Sequence, residues 1–536
     1  MLFSPTLGLL GIGIIALCLV VRRVRRHSIS HLPGPASSSW FVGNLPSFER
    51  TQSAGEADFE WSQKYGLAFR TKGCFGEDRL FLADPKGLQY ILNKSGYRYP
   101  KTFESRNRQQ LSTGRGIVWA DGEQHARHRK IMNPAFSYSA LKDFLPLFFD
   151  IAQKACTPRL HEEATKSSLF DLTHWLARTT LDVIGAAAFG YQFNLVEGAE
   201  TELYKAYHNL YIDSHFMISD FTIVFRRITS FAPMWLTKYL LHLPKKDVRR
   251  MKRCADLNFK LGRELLVREK EAHERGKEGG KDVMSLFVKA NGSEDPRRRL
   301  GEDEVLSQIM TLTFAGFETT ATTLTWIFYE LSRHAGVQDK LRREIKSTRA
   351  NMTARGDKEL TIADLESMKY TVAETLRFHP IVVHLFRMAG QDDVIPLEWP
   401  QRTISGEMVT EIPVSKGQVI MLSLWTYNRL KTLWGEDADQ WKPERFLQDL
   451  SSEHKTNVGV YGNLATFSSG LRSCIGYVLL EMQAILIELV ENFDFGPAPG
   501  NVEITRRVAA IVQPMVKGRE NAGAQMPLTV TAINET

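Results

Sequence analysis

The ten residues Phe467-Ser468-Ser469-Gly470-Leu471-Arg472-Ser473-Cys474-Ile475-Gly476 set one cysteine between two glycines, with an apolar helical run directly after them. Each fixed residue has a physical use. Gly470 and Gly476 allow close backbone approach, the loop N–H groups and the coming helix N-terminus favour a thiolate at Cys474, and Arg472 offers a fork to an anionic group. A lone cysteine is more often inert core, so the weight lies on the whole pattern rather than on Cys474 alone.

Upstream, apolar periodicity predicts a long helix from about Glu304 to Arg333, roughly 45 Å at 1.5 Å per residue, which must cross the domain interior. In its middle Ala315-Gly316-Phe317-Glu318-Thr319-Thr320 interrupts the apolar pattern with small residues, an acid and two hydroxyls. Burying an acid is costly, and a mid-helix threonine can open a notch beside a reacting centre. The same segment also reads as a packing accommodation. Glu374 and Arg377 stand at i, i+3 on one helix face, where they can share a buried partner.

The cysteine segment resembles the haem-binding loop of the cytochrome P450 family, matching Phe-x-x-Gly-x-Arg-x-Cys-x-Gly at every fixed position. Glu374-Thr-Leu-Arg377 resembles the family's Glu-x-x-Arg helix, and Trp441-Lys-Pro443-Glu-Arg445-Phe446 resembles the segment whose arginine completes a structural ionic cluster. Ala315–Thr320 resembles the oxygen-activation segment. These matches arrive in the family's order across residues 119 to 476. The resemblance implies a mainly α fold with small β-sheets and haem b held by Cys474 as axial iron ligand, with Phe467, Gly470, Arg472 and Gly476 around it. His125 and Arg129, one turn apart on a helix starting near Gly122, join Arg387 and Arg472 as candidates for the haem propionates; many relatives have tryptophan at the place of His125. Thr319 would order water and proton delivery, with Glu318 as its acidic neighbour. One departure stands out. Glu481-Met482 follows Gly476 about two residues sooner than in relatives, which turns a helix face by about 200°.

The chain has 536 residues, 43% of them hydrophobic, ample for a large core. No internal repeat is visible. Helix formers dominate, and short apolar runs such as Leu80–Ala83 and Val419–Leu422 read as strands. Residues 201 to 245 are rich in Phe, Tyr, Ile and Leu and read either as helices roofing an apolar cavity or touching a membrane, or as ordinary core; residues 270 to 300 read as a charged loop. A net charge of +7 with no zinc-finger spacing and no basic-aromatic run excludes a nucleic-acid reading. The five cysteines, Cys18, Cys74, Cys156, Cys254 and Cys474, are scattered and odd in number, which argues for a reducing compartment.

From Leu7 to Val21 no charge occurs, and Arg22, Arg23, Arg25 and Arg26 follow at once. Residues 1–26 therefore read as an N-terminal transmembrane anchor, oriented by the positive-inside rule with the remainder in the cytosol, in an endoplasmic-reticulum membrane. Leu32-Pro33-Gly34-Pro35 marks a Pro/Gly-rich hinge over 27–46, and 47–536 forms the haem-binding catalytic domain.

The function implied is insertion of one oxygen atom from O2 into an apolar small molecule, because a thiolate ligand donates electron density that favours O–O cleavage. No glycine-rich dinucleotide segment follows a strand, so electrons come from a separate NADPH-dependent reductase, with cytochrome b5 as a second donor and Arg127, Arg129 and Lys130 on the docking face. Phe314, Val382, Val383 and Met526 are pocket candidates by position. A reductase-independent haem-thiolate isomerase or dehydratase, and a catalytically silent haem or ligand binder, remain as alternatives.

Overall fold

The computed structural model describes residues 29–156, 160–162, 164, 169–210, 212, 216–232, 246–275, 282–291, 295, 299–447, 456–476, 478–500 and 502–533. Helices dominate and frame the site. Helix α1 (Gly122–Met132) starts where the Asp121 carboxylate accepts from the Gly122 N–H at 2.9 Å. Helix α2 (Leu172–Phe189) is capped in the same way by Asp171 on Thr173 N–H and ends at Gly190, whose φ of 56° suits glycine. Helices α3 (Glu202–Tyr207), α4 (Asp220–Thr229), α5 (Lys246–Glu274) and α6 (Val283–Asn291) follow. The predicted long helix is α7 (Glu302–Arg333), with three acids in its first turn at the positive end of the helix dipole and Glu304 accepting from Gly301 N–H at 3.0 Å. Helices α8 (Tyr370–Phe378) and α9 (Val478–Asn492) complete the frame.

The strands used below are β1 (Ala68–Lys72), β2 (Asp78–Leu82), β3 (His384–Met388), β4 (Val419–Ser423), β5 (Ile504–Ala509) and β6 (Ile511–Val516). The first four form one sheet in the order β1-β2-β4-β3, in which only the β2–β4 pair is parallel, and β5 and β6 form an antiparallel hairpin. Leu80, Leu82, Ile420 and Leu422 bury a second core under the sheet, and Ile29 and Leu32 pack into it. The segment from 29 to 46 is thus seated on the catalytic body. Arg70 N–H donates to the Pro33 carbonyl, and a Cβ on Gly34 would come within 1.8 Å of the Arg70 oxygen.

Two stretches differ from expectation. The charged region over 270 to 300 contains α6, because Val283, Met284 and Phe287 recur at helical spacing and are buried; charge density around them hid a short apolar face. The apolar region over 201 to 245 divides. Leu203, Tyr204, Ala206 and Tyr207 of α3 join the main core, whereas Phe221 and Ile228 of α4 are exposed. Its residues 211, 213–215 and 233–245 lie outside the described residues.

Helix α7 runs through the main core against α2. At the crossing a Cβ on Gly316 would stand 2.7 Å from Ile184 Cδ1, so the missing side chain is what lets the helices approach. Thr180 Oγ1 ties them by donating to the Phe317 carbonyl at 3.0 Å. The proposed anchor, residues 1–26, lies outside the described residues, among which no helix is long and apolar enough to cross a membrane.

Candidate active site

The cysteine loop is fixed from both sides. The Cys474 N–H donates to the Phe467 carbonyl at 2.9 Å, Ser469 Oγ donates to Asn93 Oδ1 at 2.6 Å, and Arg129 Nη1 donates to the Ser473 carbonyl at 2.8 Å. A Cβ on Gly470 would fall 2.1 Å from the Leu92 carbonyl oxygen, at a φ of +63°, so both space and backbone conformation demand glycine. Gly476 has φ +85° with open space around it, so only its conformation does. The Phe467 ring is half-buried and meets Tyr461 edge-on, and the Cys474 thiol is exposed. Helix α9 follows this loop and packs against α7, the helix that carries Glu318 and Thr319.

The candidates His125, Arg129, Arg387 and Arg472 come together from α1, β3 and the cysteine loop. Arg472 forms an ion pair with Asp121 and reaches the Gly96 carbonyl at 3.3 Å. Lys101, bridged to Arg387 across adjacent backbone, gives its N–H to Asp121 at 2.7 Å and its ammonium to the carbonyls of Ile117, Val118 and Ala120. His125 is buried, with Nδ1 2.8 Å from the Tyr97 hydroxyl. The electrostatics are those of crowded cations. Burial, then Arg387, pushes Lys101 down to about 7; burial, then Arg472, pushes Arg387 down to about 10; and burial, then Lys101 and Arg472, takes His125 down to about 3. Burial alone would raise Asp121, but the Arg472 hydrogen bond and the Lys101 N–H outweigh it and hold the carboxyl below its usual range.

Lys101, Asp121, Tyr97 and the Arg106–Trp119 cation–π contact at 4.5 Å belong to this cluster and carry no spacing in the sequence that would have announced them. Arg387 makes its hydrogen bond to the neighbouring Phe386 carbonyl, and the Nε atoms of Arg106 and Arg472 are buried with no hydrogen-bond partner among the described residues. A single carboxylate, Asp121, ion-paired with Arg472, stands among five basic side chains, those of Lys101, Arg106, Arg129, Arg387 and Arg472. Such an imbalance fits an anionic ligand of more than one carboxylate.

On α7, Glu318 lies at the edge of a cavity of about 40 Å³ and accepts from Gln513 Nε2 at 2.7 Å. Burial pushes its carboxyl up to about 7 against that hydrogen bond, although some of its surface still opens on the cavity. Thr319 and Thr320 donate to the carbonyls of Ala315 and Gly316, each at 2.5 Å, and the helix continues unbroken through this point. The notch expected from a disrupted ladder is therefore absent here, because the hydroxyls bond back onto the helix while Gly316 serves the α2 crossing.

The ionic cluster is closed. Arg377 makes two hydrogen bonds of 2.7 Å to Glu374, both residues are fully buried, and Arg445 Nε stands 3.6 Å from Glu374. The remaining Arg377 donors go to the carbonyls of Asn428, Ala438 and Gln440. Of the docking candidates, Arg127 pairs with Glu304, Arg129 holds the cysteine loop and Lys130 is exposed. Among the pocket candidates, Val383 and Met526 are buried core, while Phe314 and Val382 are half-buried against it.

The family model described as Cytochrome P450 matches residues 33–518. The chain belongs to the cytochrome P450 family. Similar proteins include cytochrome P450 monooxygenase 205 of Postia placenta, 32% identical with 99% of this chain and 97% of the relative covered. Cytochrome P450 monooxygenase claQ of Ampulloclitocybe clavipes is 33% identical, with 96% and 95% covered. Ganoderic acid synthetase CYP5150L8 of Ganoderma lucidum is 35% identical, with 88% and 89% covered. This P450 is accordingly a monooxygenase of a haem-thiolate family, and the excess of buried cations beside its cysteine loop fits the carboxylates of a haem. The resemblance to the family's haem loop falls on Phe467, Gly470, Arg472, Cys474 and Gly476, inside the matched range.

Proposed function

We propose that this P450 inserts one oxygen atom from O2 into an apolar small molecule, with electrons from a separate NADPH-dependent reductase. Haem b, when bound through the Cys474 thiolate, would supply the activation of O2. The chain's own residues do the rest. Arg387, Arg472, Lys101, Arg129 and His125 would hold the two propionates, and Glu318 with Thr319 would deliver protons to the oxygen being reduced. Glu374, Arg377 and Arg445 would keep the region under the haem rigid.

The observation that carries this reading is a carboxyl held near neutrality next to a hydroxyl on the long central helix: Glu318, at about 7, is poised both to hold and to release a proton at physiological pH. A reductase-independent isomerase would have no use for such a pair. A groove of about 530 Å³ lined by Ala126, Arg129, Lys130 and Leu471 lies beside the cysteine loop, and its basic rim suits an acidic reductase face or cytochrome b5. The charge-free run over Leu7–Val21 followed by four arginines supports a single-pass anchor over residues 1–26, an endoplasmic-reticulum location and a cytosolic catalytic domain over 47–536, with 27–46 as the connecting hinge. The fungal relatives, one of them named a ganoderic acid synthetase, support specialised metabolism as the setting.

One observation favours a silent haem binder instead. Glu481, early in α9, is fully buried with neither carboxyl oxygen hydrogen-bonded among the described residues, an unpaired acid on the helix that follows the link after Gly476. Reconstitution with a P450 reductase and a panel of apolar substrates separates the readings: NADPH oxidation coupled to an oxygenated product, labelled from 18O2, is expected. Stoichiometric haem with no NADPH-dependent product would establish the silent binder.

A further inference from the structure

The cavity at Glu318 mixes polar side chains with an apolar wall of Ala177, Phe317, Ala321 and Ala524. It lies between α2, α3, α7 and β6, and its lining includes the side chains of Thr173, His174, Tyr204, His208, Glu318 and Gln513. At about 40 Å³ it has room for about two or three waters, one of which needs roughly 10–15 Å³ by the same measure. The Thr173 hydroxyl is buried there without a protein hydrogen-bond partner among the described residues. The rings of His174 and His208 stand 4.4 Å apart, and both residues are half-buried, so the pair spans from the cavity toward solvent.

At the inner end, Gln513 of β6 is 1% exposed and bridges two turns of α7. It donates to Glu318 at 2.7 Å and accepts from Thr322 Oγ1 at 3.4 Å. An amide held on both sides in this way fixes which direction the Glu318 carboxyl faces. The donor goes to one carboxyl oxygen, which leaves the other oxygen as the one able to exchange a proton.

We infer that Glu318, latched by Gln513, is the inner end of a water-filled path to solvent whose outer end is the His174–His208 pair. This rests on the proton-delivery role assigned to Glu318 above and extends it to the residues that reload it. For each proton that Glu318 releases inward, a cavity water gives one to the carboxylate and is itself restored from bulk through the imidazoles. The path moves protons only, so no oxidant or reductant enters its balance. The groups facing it are the Tyr204 hydroxyl from α3, Asp171, which caps α2, Arg178 in the second turn of α2, and Arg250 of α5, whose guanidinium donates to the His208 carbonyl. Burial, then His174 and Arg250, keeps His208 down at about 4, so at neutral pH its imidazole is uncharged; its Nε2 lies 3.1 Å from the Asn209 amide nitrogen, which makes Nδ1 the nitrogen that faces the path.

The test uses infrared difference spectroscopy of the purified full chain, with Glu318→Gln to assign the carboxyl band. The band's midpoint gives its titration, and its shift after rapid dilution into D2O gives its exchange rate. Gln513→Leu should move the midpoint upward, because it removes the hydrogen bond that favours the carboxylate, and Gln513→Asn should restore part of the shift. His174→Phe with His208→Phe should slow carboxyl exchange at least tenfold. Thr173→Val, nearly isosteric and so safe for folding, should slow it severalfold. Unchanged midpoint in Gln513→Leu together with unchanged exchange in both path variants would overturn the inference. Because neither reading needs reductase, O2 or substrate, its failure is distinct from failure of the monooxygenase assignment, which the coupled 18O2 assay reads.

Discussion

Replacing Arg377 by leucine should cost this P450 most of its stability, and the size of the loss follows from the donors removed. Arg377 gives two hydrogen bonds to Glu374 and one each to the carbonyls of Asn428, Ala438 and Gln440. Without it Glu374 keeps the Lys442 N–H at 2.8 Å and Arg445 at 3.6 Å, in a site with no solvent access. Leaving a buried charge short of its partner costs about 3–5 kcal/mol. Each carbonyl stripped of its donor adds on the order of 1 kcal/mol. The total of about 6–8 kcal/mol compares with about 5–15 kcal/mol for a whole domain. Urea unfolding of the full chain, at one fixed haem concentration because a native-state ligand adds to apparent stability, measures it. The double variant Glu374→Gln/Arg377→Leu should be more stable than Arg377→Leu alone by about 2 kcal/mol, since it removes the stranded charge. If Arg377→Leu stays within about 1 kcal/mol of the parent, or if the double variant loses the sum of both single losses, the reasoning about this cluster is wrong.

Glu318 makes a pH prediction of definite sign: its carboxyl is raised to about 7, so the protonated donor is present below that value, and turnover limited by proton delivery should fall as pH rises through about 7. Glu318→Gln should lower kcat and flatten that limb in a reductase-coupled pH–rate profile. Glu481, also raised, contributes most to stability at low pH and loses it as pH rises through its folded value, so Glu481→Leu should stabilise the chain at neutral pH by about 1–3 kcal/mol in urea unfolding. Gly316→Ala should cost about 1–3 kcal/mol by overpacking against Ile184, more than the helix gains from alanine, and Ile184→Ala should relieve the clash in a double-mutant cycle.

The sequence was most readable where function constrains several residues within a short span. The cysteine loop, the Glu374–Arg377 pair and the α7 segment could each be recognised because their members lie within ten residues, and the long helix began within two residues of its expected start. Residues joined by tertiary folding were invisible. Lys101 and Asp121 meet Arg387 only because the backbone at Lys101 pairs with β3, and Gln513 reaches Glu318 from a hairpin 195 positions away. For Gly316 the packing reading of its segment holds, but the partner it receives, Ile184, belongs to another helix that local sequence does not show. Helix α6 was hidden by its charged flanks, which bias composition but do not prevent three apolar residues on one face from docking.

The central claim is that Cys474 provides a thiolate to haem iron. The reduced, carbon-monoxide-bound difference spectrum of the expressed chain, recorded beside Cys474→Ala, tests it most directly. The account predicts a strongly red-shifted Soret band in the parent that disappears in the variant. A band typical of histidine-ligated or free haem in the parent, or a red-shifted band that survives loss of Cys474, would contradict it.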